Sequence, residues 1–159
     1  MGQLASSSSS VAPSGSASLS YSSYKGGRRS RILVVDGESV AADTLAEILR
    51  QNGYASETAY EWNGALQKAL ISPPDLVITD VVLPGVSGVQ LAVTIKRAYP
   101  DCKILLYSAQ ASTPELIRSP HWAPYDFTLL SKPVRPKDLL ALVEHRLGTG
   151  SRVSVPAAA

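Results

Sequence analysis

The sequence reads as an α/β protein, a three-layer α/β/α sandwich around a parallel sheet of five strands. Two observations lead there. Short apolar runs suited to buried strands alternate with longer stretches of helical period. Four of those runs also end on a residue able to do chemistry: Asp36 after 32–35, Asp80 after 76–79, Ser108 after 104–107 and Lys132 after 127–131. Alternating βα units close into such a sandwich through right-handed crossovers. Open α/β sheets bind their ligands beyond the carboxyl ends of the strands, so the four endings predict one converging site.

Each element follows from its own residues. Strands are expected over 31–35, 54–58, 76–79, 103–107 and 127–130. The first, third and fourth are nearly all apolar, as parallel strands covered on both faces must be. The first helix, Ser39–Gln51, carries Val40, Leu45, Ile48 and Leu49 on one side and stops at Asn52-Gly53. The second, Trp62–Ile71, stops before Pro73-Pro74. Ser87-Gly88-Val89-Gln90 predicts a capping box that opens a third helix through Leu91, Ile95 and Ala98, closed by Pro100. The fourth helix is short or irregular. Thr113-Pro114-Glu115 can start it, but Pro120 and Pro124 leave it little more than one turn. Pro136 suits the first turn of the last helix, Pro136–Leu147.

Composition bounds the function. Residues 1–30 are Ser-rich and without apolar periodicity, and residues 148–159 read as a frayed tail, so the folded domain is expected over 31–147 with disorder on both sides. The 31–147 stretch holds all 13 acids against 11 of the 15 bases, a net of −2, which argues against nucleic-acid binding by the folded part. The basic run Lys25-Gly26-Gly27-Arg28-Arg29 is suited to phosphate or acidic lipid, but is read as a solvated linker. Met1-Gly2-Gln3-Leu4-Ala5-Ser6 matches an acylation pattern that a Ser-rich tail meets by chance. Cys102 is the one cysteine and reads as core packing in a reducing, cytoplasmic protein. No apolar run approaches the ~18 residues needed to cross a membrane.

The motifs now carry a resemblance. Ile32-Leu33-Val34-Val35-Asp36, then Asp80 with Leu83-Pro84-Gly85-Val86-Ser87-Gly88, then Ser108-Ala109 and Lys132-Pro133, resemble the receiver (CheY-like) domain of bacterial two-component response regulators. The resemblance spans residues 31–147 with its signature blocks in the family's order. It implies a flavodoxin-like (βα)5 fold with strand order 2-1-3-4-5 and a site at the switch point, where sheets of that order bind their ligands. It further implies that Asp80 is the phosphoacceptor for a histidine kinase or phosphotransfer protein. Lys132 and Ser108 would contact the phosphoryl group. Mg²⁺ would be held by Asp36, Asp80 and the Val82 backbone carbonyl, with Glu38 as an additional candidate.

Two departures stand out. The family places a pair of acids after the first strand, whereas here Asp36 is followed by Gly37 and then Glu38, which predicts weakened Mg²⁺ binding and slower phosphorylation. Removing one anion also predicts a stronger contact between Lys132 and Asp80. The second departure is Leu129 where the family carries a switch aromatic, with Phe127 as a displaced substitute on the same side of the strand. Trp122, beside His121, is either a partner anchor or a ring packed over the short fourth helix. The expectation is a stand-alone, non-enzymatic response regulator, monomeric or weakly dimeric, that signals through a downstream protein and binds neither nucleic acid nor membrane. The rival is a pseudo-receiver, an interaction module that works without phosphorylation, and Gly37 is the feature that favours it.

Overall fold

The computed structural model describes residues 24–25, 27–109 and 113–148. Five parallel strands, β1 (Arg31–Val35), β2 (Ala55–Ala59), β3 (Leu76–Asp80), β4 (Lys103–Ser108) and β5 (Thr128–Ser131), lie in the order β2-β1-β3-β4-β5. Helices α1 (Ser39–Gln51), α2 (Trp62–Ile71), α3 (Gly88–Ala98), α4 (Thr113–Arg118) and α5 (Pro136–Leu147) connect and cover them. The α/β/α architecture is as the alternation of elements predicts, and the 2-1-3-4-5 order is as the resemblance implies.

Alternation along β1 builds the two halves of the core. Leu33 and Val35 face one side and pack with Ala65, Ala69, Leu91 and Ile95 of α2 and α3. Ile32 and Val34 face the other and pack with Leu45, Leu49, Leu139 and Val143 of α1 and α5. Successive strand residues point to opposite faces, so both faces must be apolar when helices cover both. β2 starts one residue later than expected because Tyr54 completes the end of α1, its amide bonding the Leu49 carbonyl and its side chain buried. β5 is likewise shifted by one residue, to Thr128–Ser131.

The helix signals are accurate in outline. Ser87 caps α3 by accepting a hydrogen bond from the Val89 amide at 3.2 Å. α4 has six residues and is followed by a short 3₁₀ turn over Ala123–Tyr125. Trp122 is half-buried and packs against the core, edge-on to His121. Phe127 stacks on Tyr125, and both Phe127 and Leu129 pack on the same core face, as the alternation predicts. Burial pushes the Cys102 thiol up to about 12, which suits the packing role.

The boundary expected at residue 31 differs from the structure. Tyr24–Lys25 pairs antiparallel with Arg28–Arg29 in a small arm that turns through Gly27 at φ +79°. Asp75, at the entrance to β3, holds this arm through two bonds from Arg28, at 2.8 and 3.0 Å, and an ion pair with Lys25 at 3.6 Å. The same carboxylate accepts the Arg31 amide at 2.8 Å. The sequence placed these bases in a solvated linker because their acid lies far along the chain. Residues 1–23 and 149–159, with the acylation pattern and the outer parts of both expected tails, lie outside the described residues.

Candidate functional site

Register brings the four strand endings into one row. Val35 pairs with Thr79, so Asp36 and Asp80 follow side by side at the carboxyl ends of β1 and β3. Asp80 pairs with Tyr107, and Ser108 with Ser131, which is followed by Lys132. The Lys132 amide bonds the Ser108 carbonyl at 2.9 Å, extending the ladder beyond β5.

One cation serves two acids there. Lys132 Nζ lies 2.8 Å from Asp80 Oδ2 and 2.9 Å from Asp36 Oδ2. Asp36 is buried, with 2% of its side chain exposed, whereas the side chains of Asp80 and Lys132 keep 15% and 21%. Asp80 is therefore the acid that a reactant can reach. Burial disfavours the Lys132 ammonium, but hydrogen bonds and charge from Asp80 and Asp36 outweigh it and raise its pKa above the ordinary lysine value. Lys132 Nζ also stands 4.7 Å above the centre of the Tyr107 ring, a cation–π contact that fixes its approach.

Backbone amides orient both acids. Asp80 Oδ1 accepts the Val82 amide at 3.0 Å, and Asp36 Oδ1 accepts the Glu38 amide at 2.9 Å. Ser108 is buried at the end of β4, one residue beyond the register partner of Asp80. The main chain at Asp80 is held by a close approach of α3. A Cβ on Gly88 would sit 1.7 Å from the Asp80 carbonyl oxygen, so only glycine fits. The Gly88 amide bonds the Val81 carbonyl at 2.8 Å.

Not every expected residue joins the cluster. Glu38 contributes its amide, while its side chain is exposed and makes no described bond or ion pair with the acids. Among the described residues no three His, Cys, Asp or Glu side chains meet as a metal-ligand set. Asp36 and Asp80 alone still suit Mg²⁺, which commonly takes one or two protein carboxylates and keeps several waters. All four of their oxygens already accept a bond, but each retains a second lone pair. Gly37 is more than a missing acid. A Cβ there would lie 3.0 Å from Pro84 Cδ and 3.2 Å from Pro84 Cγ, so a side chain at 37 would press on the ring and require it to give by a few tenths of an ångström. Sequence reasoning missed this contact and the Tyr107 ring. Tyr107 had a signal, an aromatic next to Ser108 at a strand's carboxyl end; the Pro84 contact had none.

The comparisons agree with this geometry. The model of the response regulator receiver domain family matches residues 32–144. The DNA-binding response regulator MtrA of Mycobacterium tuberculosis is 32% identical over 119 residues, covering 75% of this chain and 51% of its own. The phosphate regulon transcriptional regulatory protein PhoB of Escherichia coli is 29% identical over 116 residues, covering 72% and 50%. The chain thus spans about half the length of the curated relatives it matches. Among solved structures, a CheY-like response regulator receiver domain protein from Methanospirillum hungatei superposes with a TM-score of 0.67 at 29% identity, covering 75% of this chain and 94% of that one. The chain belongs to the response regulator receiver domain family.

Proposed function

We propose that this receiver domain is a phosphoryl-accepting switch, with Asp80 the acceptor for a phosphohistidine on a histidine kinase or phosphotransfer protein. The observation that carries the reading is the shared cation: Lys132 bonds Asp80 at 2.8 Å and the deeper Asp36 at 2.9 Å. One Asp80 carboxylate oxygen attacks phosphorus. The new P–O bond forms as the P–N bond to the donor imidazole breaks, and the bonding pair returns to the ring nitrogen. Lys132 stays charged at neutral pH and opposes the phosphoryl oxygens as a compact cation. The Ser108 hydroxyl, at the end of the adjacent strand, bonds the group after transfer.

Asp36 and Asp80 are the residues that would hold Mg²⁺. When bound, the ion neutralises charge between carboxylate and phosphoryl oxygens. With glycine at 37 and the Glu38 side chain turned away from the cluster, that binding is weak and acceptance is slow. The added phosphoryl charge redirects Lys132 and Ser108 and so biases a surface that a partner protein reads. That surface lacks an aromatic at 129, so its response runs through Leu129 and the Tyr125–Phe127 stack.

The protein works in this reading as a cytoplasmic signalling switch, monomeric or weakly dimeric, without a diffusible substrate of its own. Among the described residues no helix is long and apolar enough to cross a membrane. The pseudo-receiver remains the second reading, favoured by the packing of Pro84 into the space beside Gly37. Intact-protein mass after incubation with acetyl phosphate separates the two. A Mg²⁺-dependent phosphoryl adduct that disappears in Asp80→Asn is expected. A folded protein that gains no adduct from acetyl phosphate or from a kinase would turn the reading to the pseudo-receiver.

A further inference from the structure

We infer that Tyr107 is a positioning residue for phosphoryl acceptance: its ring holds the Lys132 ammonium at the Asp80 carboxylate, an inference that rests on the acceptor reading above. Lys132 starts from the far side of the sheet. In the order β2-β1-β3-β4-β5 it leaves the end of β5, so its side chain reaches across β4 to meet Asp80 and Asp36. From β5 to β3 is about 10 Å at the ordinary spacing of strands. A flexible four-carbon stem loses rotamer freedom when stretched over that span. A group on β4 that orders the stem would lower that cost.

Tyr107 stands at the crossing. In the ladder it pairs with Asp80 on one side and with Leu130 on the other. Leu105 and Tyr107 pack on the same core face as Ile78 of β3 and Leu130 of β5. Alternation then carries Asp80 and Lys132, two residues further along, onto that face as well. Lys132 Nζ lies 4.7 Å above the centre of the Tyr107 ring while it bonds both acids. The ring is itself held fast, since Tyr107 is buried. Two of the three ammonium donors serve the acids, and the negative face of the ring receives the charge that remains.

Packing alone does not call for an aromatic at this position. Leu105, on the same strand and the same core face, is aliphatic and fully buried. A ring does what an aliphatic chain cannot, because its quadrupole attracts the cation. It also does so without an acid's competition: a third carboxylate would draw the ammonium from Asp80, whereas the ring leaves it free to turn toward a phosphoryl oxygen. Lys132 keeps 21% of its side chain exposed, so without the ring it has solvent to sample. Tyr107 thus acts through Lys132 and not on the reacting atoms.

The test pairs two readouts on the full chain: the order of Lys132 Nζ by nitrogen-15 relaxation without phosphodonor, and the rate of adduct formation with acetyl phosphate and Mg²⁺. Tyr107→Leu should loosen Nζ and slow the adduct about fivefold, the loss expected of one partly desolvated cation–π contact. Tyr107→Met, which fills irregular space without a ring, takes its place if Tyr107→Leu does not fold. Tyr107→Phe should restore both readouts to within about twofold of the parent. In a Lys132→Gln background, Tyr107→Leu should slow the adduct no further, because its partner is gone. Three results would overturn the inference: an unchanged Nζ order in Tyr107→Leu; a Tyr107→Phe as slow as Tyr107→Leu, which moves the effect to the hydroxyl; or the same fivefold loss in the Lys132→Gln background, which makes the role structural. A folded parent that gains no adduct would overturn the acceptor reading and the rate claim with it, while the Nζ order still decides whether the ring holds the lysine.

Discussion

Strand β3 begins after one aspartate and ends on another, and the two balance charge in opposite ways. Asp75 takes a bidentate Arg28, Lys25 and the Arg31 amide, more donors than one carboxylate needs. Asp80 instead shares the single ammonium of Lys132 with Asp36. The first arrangement fixes a conformation. The second leaves an excess of negative charge around one cation that can change partners. Two acids one strand length apart thus illustrate the difference between an ion pair that holds a fold and one poised to react, and the cation count distinguishes them better than burial does.

The largest effect should come from the backbone behind Asp80. Gly88→Ala puts a methyl group 1.7 Å from the Asp80 carbonyl, a clash with main chain that no rotamer relieves. Overpacking commonly costs about 1–3 kcal/mol and sometimes more, and the upper end is expected in urea unfolding. A neutral result would mean that α3 does not pin the acidic end. Lys132→Ala comes next. It strands two carboxylates, and breaking a buried pair costs about 3–5 kcal/mol. The lower end applies because Lys132 and Asp80 keep solvent contact. Full stability in that variant would show that the two acids tolerate each other without a cation.

Arg28→Ala sharpens the other end. The guanidinium is half exposed, so solvent screening limits the loss to about 1 kcal/mol. Faster amide exchange over Tyr24–Arg29 should accompany it. Burial opposes the charged Asp75 carboxylate, but the bonds from Arg28 and the Arg31 amide prevail and lower its pKa below the ordinary 3.8. A lowered pKa means that Asp75 adds stability above 3.8 and loses it as pH falls through the depressed folded value. Thermal midpoints followed through that acid range should fall less steeply in Asp75→Asn than in the parent chain; parallel curves would remove Asp75 from the acid limb. A stability change of similar size, about 1 kcal/mol, belongs to Gly37→Asp, which presses a Cβ on Pro84. That variant should nevertheless bind Mg²⁺ more tightly by calorimetry. Unchanged affinity would mean that Pro84 directs the new carboxylate away.

The same contrast explains what could be read from the chain alone. Asp36, Asp80, Ser108 and Lys132 were legible because each ends an apolar run, and parallel register turns four endings into one row. The Asp75 anchor was not legible, since its bases lie in a glycine-rich stretch that alone looks like linker. Contacts between turns were hidden for a similar reason. The approach of Pro84 to Gly37 depends on two loops meeting in space, which no periodicity encodes. Glu38 was placed near the metal by reach alone, and the start of α1 turned its side chain outward.

The account stands most directly on the location of the acyl phosphate. The protein, phosphorylated by acetyl phosphate with Mg²⁺, would be reduced with borohydride, which converts an aspartyl phosphate to homoserine, and then mapped by peptide mass spectrometry. Homoserine at position 80, and at no other aspartate, is the expected result. Homoserine at Asp36 or elsewhere, or none in a folded and phosphodonor-treated protein, would contradict the assignment of Asp80 as the acceptor.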